Sequence, residues 1–166
     1  EGEEVDENGC SDSQKDSDEA GVTDDVDQCP DTPEGQVVDN NGCSISLYLD
    51  PNGVTIKSYE WGQVGDTGEI NGITYTIVSE EELRVMIESG DDVSRVCTSK
   101  ITNMSDMFYL SSFNGDISSW DISNVTNMYN MFGYSGFNGD ISNWDVSNVT
   151  DISMIFSYSS FNGDIS

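Results

Sequence analysis

Apolar positions recur at a fixed interval along the last third of the chain. Phe113, Phe137 and Phe161 each open the same phrase, Phe-Asn-Gly-Asp-Ile-Ser, with a spacing of 24 residues. Three further sets keep this interval: Trp120 and Trp144; Met104, Met128 and Ile152; and Phe108, Phe132 and Phe156. A fixed period in the twenties is typical of solenoids, in which each unit covers the apolar face of its neighbour. The pattern predicts an α/β solenoid of 24-residue, leucine-rich-repeat-like units over residues 101–166.

Each unit has two apolar patterns of its own. Residues 117–122, Ile-Ser-Ser-Trp-Asp-Ile, follow the L-x-x-L-x-L spacing of a leucine-rich strand. In the next stretch Met128, Met131 and Phe132 are spaced i, i+3, i+4, which predicts a short helix over residues 126–132 with these side chains inward.

The middle of the chain predicts a small cap made of strands and one helix. Residues 46–49 and 54–57 read as two strands around the turn Asp-Pro-Asn-Gly, and residues 74–78 alternate as a third strand. Ser79 and Glu82 form a capping-box pattern, so a helix is predicted to begin there and to end at Gly90. We therefore expect an N-terminal cap for the solenoid over residues 45–100.

The repeated phrase resembles the BspA-type leucine-rich repeat family of bacterial surface proteins. That family carries Met-Phe…Phe-Asn-x-Asp-Ile-Ser-x-Trp-Asp-Val-Ser-Asn-Val-Thr, and the match covers about residues 101–166. The segment at 45–100 is similar to the one that usually precedes such arrays. The resemblance implies an α/β solenoid that is secreted or held on the cell surface, with adhesion and ligand recognition as its usual roles, and it does not imply an enzyme.

The first 44 residues differ from the rest in composition. They hold 15 acidic side chains, one lysine and no aromatic residue. Such a segment cannot bury an apolar core, so it is either disordered or ordered by something other than apolar burial. Cations and disulfides are the obvious candidates, and we expect an irregular, calcium-ordered, disulfide-containing segment over residues 1–44.

Carboxylates in this segment follow the spacing of a twelve-residue calcium loop that begins at Asp16. Gly21 falls at position 6, where a sharp turn is needed, and Val22 at position 7 offers its backbone carbonyl. The loop departs from the pattern at Ala20, which has no side-chain ligand. Positions 1, 3, 9 and 12 are Asp16, Asp18, Asp24 and Asp27. The alternative interpretation is a solvated acidic linker.

Residues 16–43 resemble a thrombospondin type 3 repeat of the kind found in bacterial surface proteins, a family that wraps an extended chain around successive calcium ions. The resemblance implies Ca²⁺ as the bound ion. It also implies secondary ligands, which are Asp12, Asp25, Asp31 and Asp39.

Four cysteines allow three pairings. Cys29 and Cys43 enclose a short loop, and we expect these two to be bridged. Cys10 would then pair outside this segment or stay free, while Cys97 lies in an apolar context and reads as a buried side chain. The alternative is Cys10–Cys29 with Cys43–Cys97. Either pattern indicates an oxidising setting outside the cytoplasm, and we expect an extracellular or cell-surface location.

The charge balance excludes several classes of function. The 166 residues carry 32 Asp plus Glu against 5 Lys plus Arg, a formal net charge of −27, and no histidine. Phosphate backbones and anionic lipid repel such a chain, so nucleic acid is excluded as a partner. No apolar run approaches the roughly 18 residues that span a bilayer, so we expect no membrane insertion in this segment. No nucleophile and base can be paired, and we expect no enzyme.

Two functions remain from the sequence. The first is a calcium-stiffened stalk that presents the repeats to an extracellular protein or glycan, with Asp121 and Asp145 projecting beside Trp120 and Trp144 as the contact face. The alternative is a structural subunit of an extracellular filament or surface layer, assembled from copies of itself through repeat stacking. Three N-x-Ser/Thr sequons are either plain repeat residues or glycosylation sites: Asn103, Asn124 and Asn148.

Overall fold

The computed structural model describes residues 4–8 and 10–163, apart from the side chain of Asp12. The chain divides into two compact units, Glu1–Ile45 and Ser46–Ser166.

The first unit has little regular structure. Its described residues contain one short 3-10 helix, Asp12–Gln14, and one isolated antiparallel bridge between Val38 and Ser44. A disulfide joins Cys29 and Cys43, the pairing expected from the short loop, while Cys10 and Cys97 are free thiols. The alternative pairing through Cys97 is therefore not the one that the structure has.

The second unit begins with two small sheets. Strands β1 (Leu47–Leu49) and β2 (Ile56–Ser58) pair antiparallel. Strands β3 (Thr67–Ile70) and β4 (Ile73–Ile77) form an antiparallel hairpin, and β5 (Val96–Cys97) pairs parallel with β4. The hairpin turn is Asn71-Gly72, with φ of 53° and 78°. Asn-Gly is the sequence that two-residue hairpin turns favour, because both positions need positive φ.

One α-helix, α1 (Glu80–Ser89), lies between β4 and β5 in the chain. Its predicted start is confirmed: the Ser79 hydroxyl accepts the Glu82 backbone N–H, and the Glu82 carboxylate accepts the Ser79 N–H. Its predicted end is also confirmed, since Gly90 adopts the left-handed conformation with φ 77°. Leu83 is fully buried and anchors the helix to the core.

The predicted α/β solenoid is wrong. All strands and the only α-helix among the described residues lie between residues 47 and 97, in two small sheets of two and three strands. The regular structure is that of a small, mostly β domain. Residues 117–122 form no strand and residues 126–132 form no helix; residues 101–163 consist of turns, irregular chain and isolated bridges.

Hydrogen bonding between three segments explains why residues 126–132 form no helix. These segments, which we call the turn segments, are residues 102–111, 126–135 and 150–159. Alternate N–H groups of one turn segment donate to carbonyl oxygens of the next: Phe108 to Met131 at 2.9 Å and Phe132 to Ile155 at 2.8 Å. The intervening N–H groups close i to i+3 turns, as Met131 does onto Met128. These N–H groups are therefore not available for the bonds of an α-helix.

The core of this unit runs along the turn segments. The rings of Phe108, Phe132 and Phe156 stack with centroid distances of 5.3 and 5.6 Å. The Trp120 indole N–H donates to the Val93 carbonyl at 3.0 Å, and Trp144 donates to Ile117 at 3.2 Å. The predicted inward direction of Met128, Met131 and Phe132 is correct, because all three are buried.

Candidate functional site

The carboxylates of the predicted calcium loop are engaged with nearby N–H groups and hydroxyls in the first unit. Asp16 accepts the backbone N–H groups of Ala20 and Gly21, at 3.1 and 2.8 Å. Asp18 accepts those of Ala20 and Thr32, at 3.1 and 2.8 Å. Asp16 and Asp18 therefore lie together around one turn.

The other two main ligands are turned elsewhere. Asp24 accepts the hydroxyl and N–H of Ser17, at 2.7 and 2.8 Å, and these bonds hold the pKa of Asp24 below its usual value. Asp27 accepts the Cys29 N–H at 2.8 Å and lies against Gly42, where an added Cβ would be 2.0 Å from its Oδ1. Within the described residues no three Asp, Glu, His or Cys side chains form a group able to hold a metal. The four carboxylates thus do not converge in this arrangement.

The remaining predicted ligands are similarly dispersed. Asp25 accepts the Thr23 hydroxyl at 2.6 Å. Asp39 accepts the N–H groups of Asn41 and Cys43, which lower its pKa. Asp31 is exposed, Val22 is half-buried, and the side chain of Asp12 lies outside the described residues. Calcium binding stays a prediction from the sequence.

The contact face expected beside the tryptophans is largely internal. Trp120 is 0% exposed and Trp144 is 9% exposed. Asp121 is 3% exposed, and its carboxylate accepts hydroxyl groups from Ser99 and Ser123 at 2.5 and 2.6 Å. The expectation that Asp121 projects beside Trp120 as part of a contact face is therefore wrong.

Asp145 alone of this set is exposed, beside a polar cavity of about 180 Å³ that also contains the Asp50–Lys57 ion pair. The pair is 3.0 Å long, and the bond to Asp50 raises the pKa of Lys57. The hydroxyl and N–H of Ser147 lower the pKa of Asp145. Each of these charged groups is partnered within its own loop or hairpin, so the cavity offers little unpaired charge to a ligand.

The structure instead exposes a row of large side chains that the sequence interpretation missed, which we call the aromatic stripe: Tyr109, Leu110, Tyr134 and Tyr158. The Tyr134 and Tyr158 rings stack at 4.8 Å, and Tyr109 meets Tyr134 edge-on at 6.0 Å. Tyr158 is 79% exposed. The 24-residue spacing of Tyr134 and Tyr158 was the sequence signal that could have found the stripe.

Three members of the stripe adopt the left-handed backbone conformation. Leu110, Tyr134 and Tyr158 have φ of 57°, 53° and 53°. Bulky side chains are uncommon in this region, which Gly and Asn tolerate better. The same conformation recurs at Asp106, Asn130 and Met154, so it belongs to the geometry of the turn segments.

The stripe continues into a groove between α1 and the first turn segment. The groove has a volume of about 510 Å³ and includes Arg84, Glu88, Met107, Tyr109, Leu110 and Ser111 in its lining. The Arg84 guanidinium pairs with Glu80 at 3.0 Å and donates to the Ser105 carbonyl at the same distance. Stripe and groove together offer aromatic faces beside a largely polar lining, in which the Arg84 cation is already paired.

The sequon asparagines take part in the hydrogen bonding of the repeats. Asn124 and Asn148 donate through Nδ2 to the carbonyl oxygens of Ser99 and Ser123, at 2.8 and 2.7 Å. Asn103 accepts the Ser105 N–H. These contacts give each asparagine a structural role, and glycosylation stays a prediction.

Comparison with known proteins identifies the family. The family described as "Mycoplasma protein of unknown function, DUF285" matches residues 81–166, just over half of the chain. The chain therefore belongs to the DUF285 family. This match supports a BspA-type bacterial surface protein and is consistent with an extracellular or surface location. It does not extend to the acidic segment that resembles a thrombospondin type 3 repeat.

A second similarity is short. An alpha-agarase of Alteromonas agarilytica is 53% identical over 38 residues, which are 23% of this chain and 3% of the agarase. The chain therefore spans only a few per cent of the length of that curated relative. No solved structure matches the chain. In the part of the chain that the structure describes, no helix has the length and apolar character needed to cross a bilayer.

Proposed function

We propose that the chain is a non-enzymatic extracellular surface protein that recognises an extracellular protein or glycan through the aromatic stripe and its adjoining groove. The observation that carries this proposal is the exposure of the stacked tyrosines Tyr134 and Tyr158. Tyrosine suits recognition because its ring supplies a large apolar face while its hydroxyl remains hydrated.

Charge narrows the choice of ligand. A net charge of −27 disfavours phosphorylated, sulfated or other anionic partners and favours neutral or cationic ones. The 38-residue similarity to an alpha-agarase covers too little of that enzyme to bring its activity here. We therefore expect the ligand to be a neutral glycan or a basic protein segment.

The test is a glycan and matrix-protein binding screen with the full chain and the variant Tyr134→Gly. Glycine accepts φ of 53° without strain, which offsets part of the lost contacts with Tyr109 and Tyr158, so the variant should fold while losing an aromatic face. Binding of any ligand found in the screen should fall about tenfold, in the range of one lost stacking contact.

The matched control is Val85→Ala, which trims an exposed apolar side chain on α1. It should bind as the wild type does. Equal binding by the wild type and Tyr134→Gly would reject the stripe as the recognition surface.

A stalk ordered by calcium belongs to the proposal as an expectation. Asp16 and Asp18 already share a turn, whereas Asp24 and Asp27 would have to leave Ser17 and Cys29 to join them. Ca²⁺ accepts six to eight oxygen ligands in irregular geometry, which favours such a rearrangement.

The second candidate is a filament subunit. Exposed Ile152 and Met154 favour it, because exposed apolar side chains promote association. Electron microscopy of the purified chain tests it. Fibres formed by a chain that binds no ligand in the screen would replace recognition with this structural role.

A further inference from the structure

The first turn segment presents a row of backbone carbonyl oxygens to the groove beside α1. In the second turn segment the carbonyl oxygens of alternate residues accept N–H groups of the first segment: Asn127, Tyr129, Met131 and Gly133. The equivalent residues, 24 positions earlier, are Asn103, Ser105, Met107 and Tyr109. Their carbonyl oxygens therefore point away from the second segment, toward the side on which α1 lies.

Arg84 of α1 shows how one of these carbonyl oxygens is satisfied. Its Nη2 atom donates to the Ser105 carbonyl at 3.0 Å and to the Glu80 carboxylate at the same distance. The guanidinium thus joins a carboxylate of the helix to a carbonyl of the turn segment. Arginine suits this place because its planar head carries several N–H donors and keeps its positive charge.

The same two kinds of acceptor occur again farther along the groove, without a cation. Glu88 lies one turn of α1 after Arg84, and within the described part of the chain its carboxylate has no hydrogen bond or ion pair. Among the same residues, the carbonyl oxygens of Met107 and Tyr109 accept no hydrogen bond. Met107 is only 5% exposed, and the carbonyl groups of buried residues normally have a partner.

The groove adds a second carboxylate and an aromatic ring to these acceptors. Asp106 and Glu88 both contribute to its lining, and one oxygen of Asp106 accepts the Asn130 amide at 2.7 Å. Because Arg84 is already paired with Glu80, the two carboxylates leave the groove negative. The Tyr109 side chain in the lining is 43% exposed and offers a ring face, on which a guanidinium stacks favourably.

We infer that this groove binds an arginine side chain of a protein ligand. The guanidinium donates to the carbonyl oxygens of Met107 and Tyr109 and pairs with the Glu88 carboxylate, as Arg84 does with Ser105 and Glu80. A lysine has a compact ammonium that cannot stack in the same way, so it fits less well. The inference rests on the proposed function and selects a basic protein segment over a neutral glycan.

The test is an NMR titration of the full chain with three capped pentapeptides, Gly-Ser-X-Ser-Gly, in which X is arginine, lysine or citrulline. Citrulline has the shape of arginine without its charge. At about 0.15 M salt, which screens the overall charge of the protein, the arginine peptide should shift the amides of residues 84–90 and 106–112 in a saturable way. The lysine peptide should bind more weakly, and the citrulline peptide should lose about tenfold in affinity or more.

The decisive variant is Glu88→Gln. It removes one charge at an exposed helix position and keeps a hydrogen-bond acceptor, so the fold should be retained. Affinity for the arginine peptide should fall about tenfold. The matched control is Glu81→Gln, which makes the same change on the same helix, at a residue that is exposed and does not line the groove. It should bind as the wild type does.

Three results would overturn the inference: no saturable shift with the arginine peptide, equal affinity for the citrulline peptide, or equal losses in Glu88→Gln and Glu81→Gln. The proposed function has a separate test in Tyr134→Gly. If that variant still loses affinity for a ligand from the screen, the stripe recognises a ligand without an arginine. Arginine binding that needs Glu88, with no screen ligand that needs Tyr134, would instead support the groove and reject the stripe.

Discussion

Trp120 donates its indole N–H to the carbonyl oxygen of Val93 at 3.0 Å, although the two residues belong to different parts of the second unit. The same bond recurs 24 residues later between Trp144 and Ile117, at 3.2 Å. The acceptor for Trp144 lies in the preceding repeat. The acceptor for Trp120 lies outside the repeats, because Val93 is in the connection between α1 and β5. The bond ties the sheets and helix to the first repeat.

Trp120→Phe should destabilise the second unit by about 1–3 kcal/mol, because it leaves the buried Val93 carbonyl without its donor. Trp144→Phe should have a smaller effect, since Trp144 is 9% exposed whereas Trp120 is 0% exposed. Urea unfolding followed by circular dichroism measures both. Equal losses for the two variants would show that the Trp120 bond has no special role.

Reduction of the Cys29–Cys43 disulfide should unfold the first unit. The bridge closes a loop with a sequence separation of 14, and a loop of about this length contributes about 3 kcal/mol in the chain-entropy model. The unit has little apolar core to compensate. Exchange of the Asp39 amide, which donates to the Cys43 carbonyl, should accelerate with reductant.

The control for this experiment is the second unit, whose Cys97 is already a free thiol. Its amide exchange should not respond to reductant. Unchanged exchange at Asp39 after complete reduction would mean that hydrogen bonds alone order the first unit.

Acid should weaken the turn segments through Asp151. The Ser153 N–H donates to the Asp151 carboxylate and lowers its pKa below the ordinary 3.8. A lowered folded-state pKa means that the bond stabilises the fold fully above about pH 4 to 5 and less as the pH falls through the folded-state pKa. Asp151→Asn keeps an acceptor oxygen but does not titrate.

The stability difference between the wild type and Asp151→Asn should therefore change below pH 4 and stay constant above pH 5. Chemical unfolding at a series of pH values measures the difference, in which the shared effect of the net charge cancels. A difference that is flat from pH 2 to 7 would contradict the role of the Asp151 carboxylate.

Calcium should bind to residues 16–27 and change the partners of Asp24. Calorimetric titration of the full chain with CaCl₂, with the disulfide intact, should give a heat of binding. The double variant Asp16→Asn, Asp18→Asn should give none. Glu60→Gln with Glu69→Gln, which removes two charges from the second unit, is the matched control. Absence of heat in the wild type would contradict calcium binding and would mean that hydrogen bonds and the disulfide alone order the first unit.

Local features of the fold could be predicted, and non-local ones could not. The helix after Ser79 follows from a capping box within four residues, and the structure contains it. Strand β3 was missed because its sequence Thr-Gly-Glu-Ile lacks apolar alternation, although Asn71-Gly72 marked the hairpin. Both the helix and the hairpin are formed by residues that are close together in the sequence.

The prediction for the repeats was wrong because their structure depends on hydrogen bonds between segments that are far apart in the sequence. The spacing of Met128, Met131 and Phe132 fits a helix and equally fits successive turns, because both place these three side chains on one side. The structure has turns here. Asn130 and Tyr134 have positive φ, and the N–H groups of alternate residues donate to the third turn segment. The aromatic stripe escaped notice for a related reason: its exposure depends on contacts between segments.

The aligned bonds of the turn segments also make the second unit electrically polar. The peptide groups that join residues 127 to 128 and 131 to 132 point their oxygens toward the first segment and their hydrogens toward the third. Their dipoles add as those of a helix do. The negative pole falls at the Ser105 carbonyl, where Arg84 binds, and the positive pole falls on the edge at Ile152 to Tyr158. The Arg84 guanidinium therefore meets the negative end of these dipoles, as a cation does at the C-terminus of a helix.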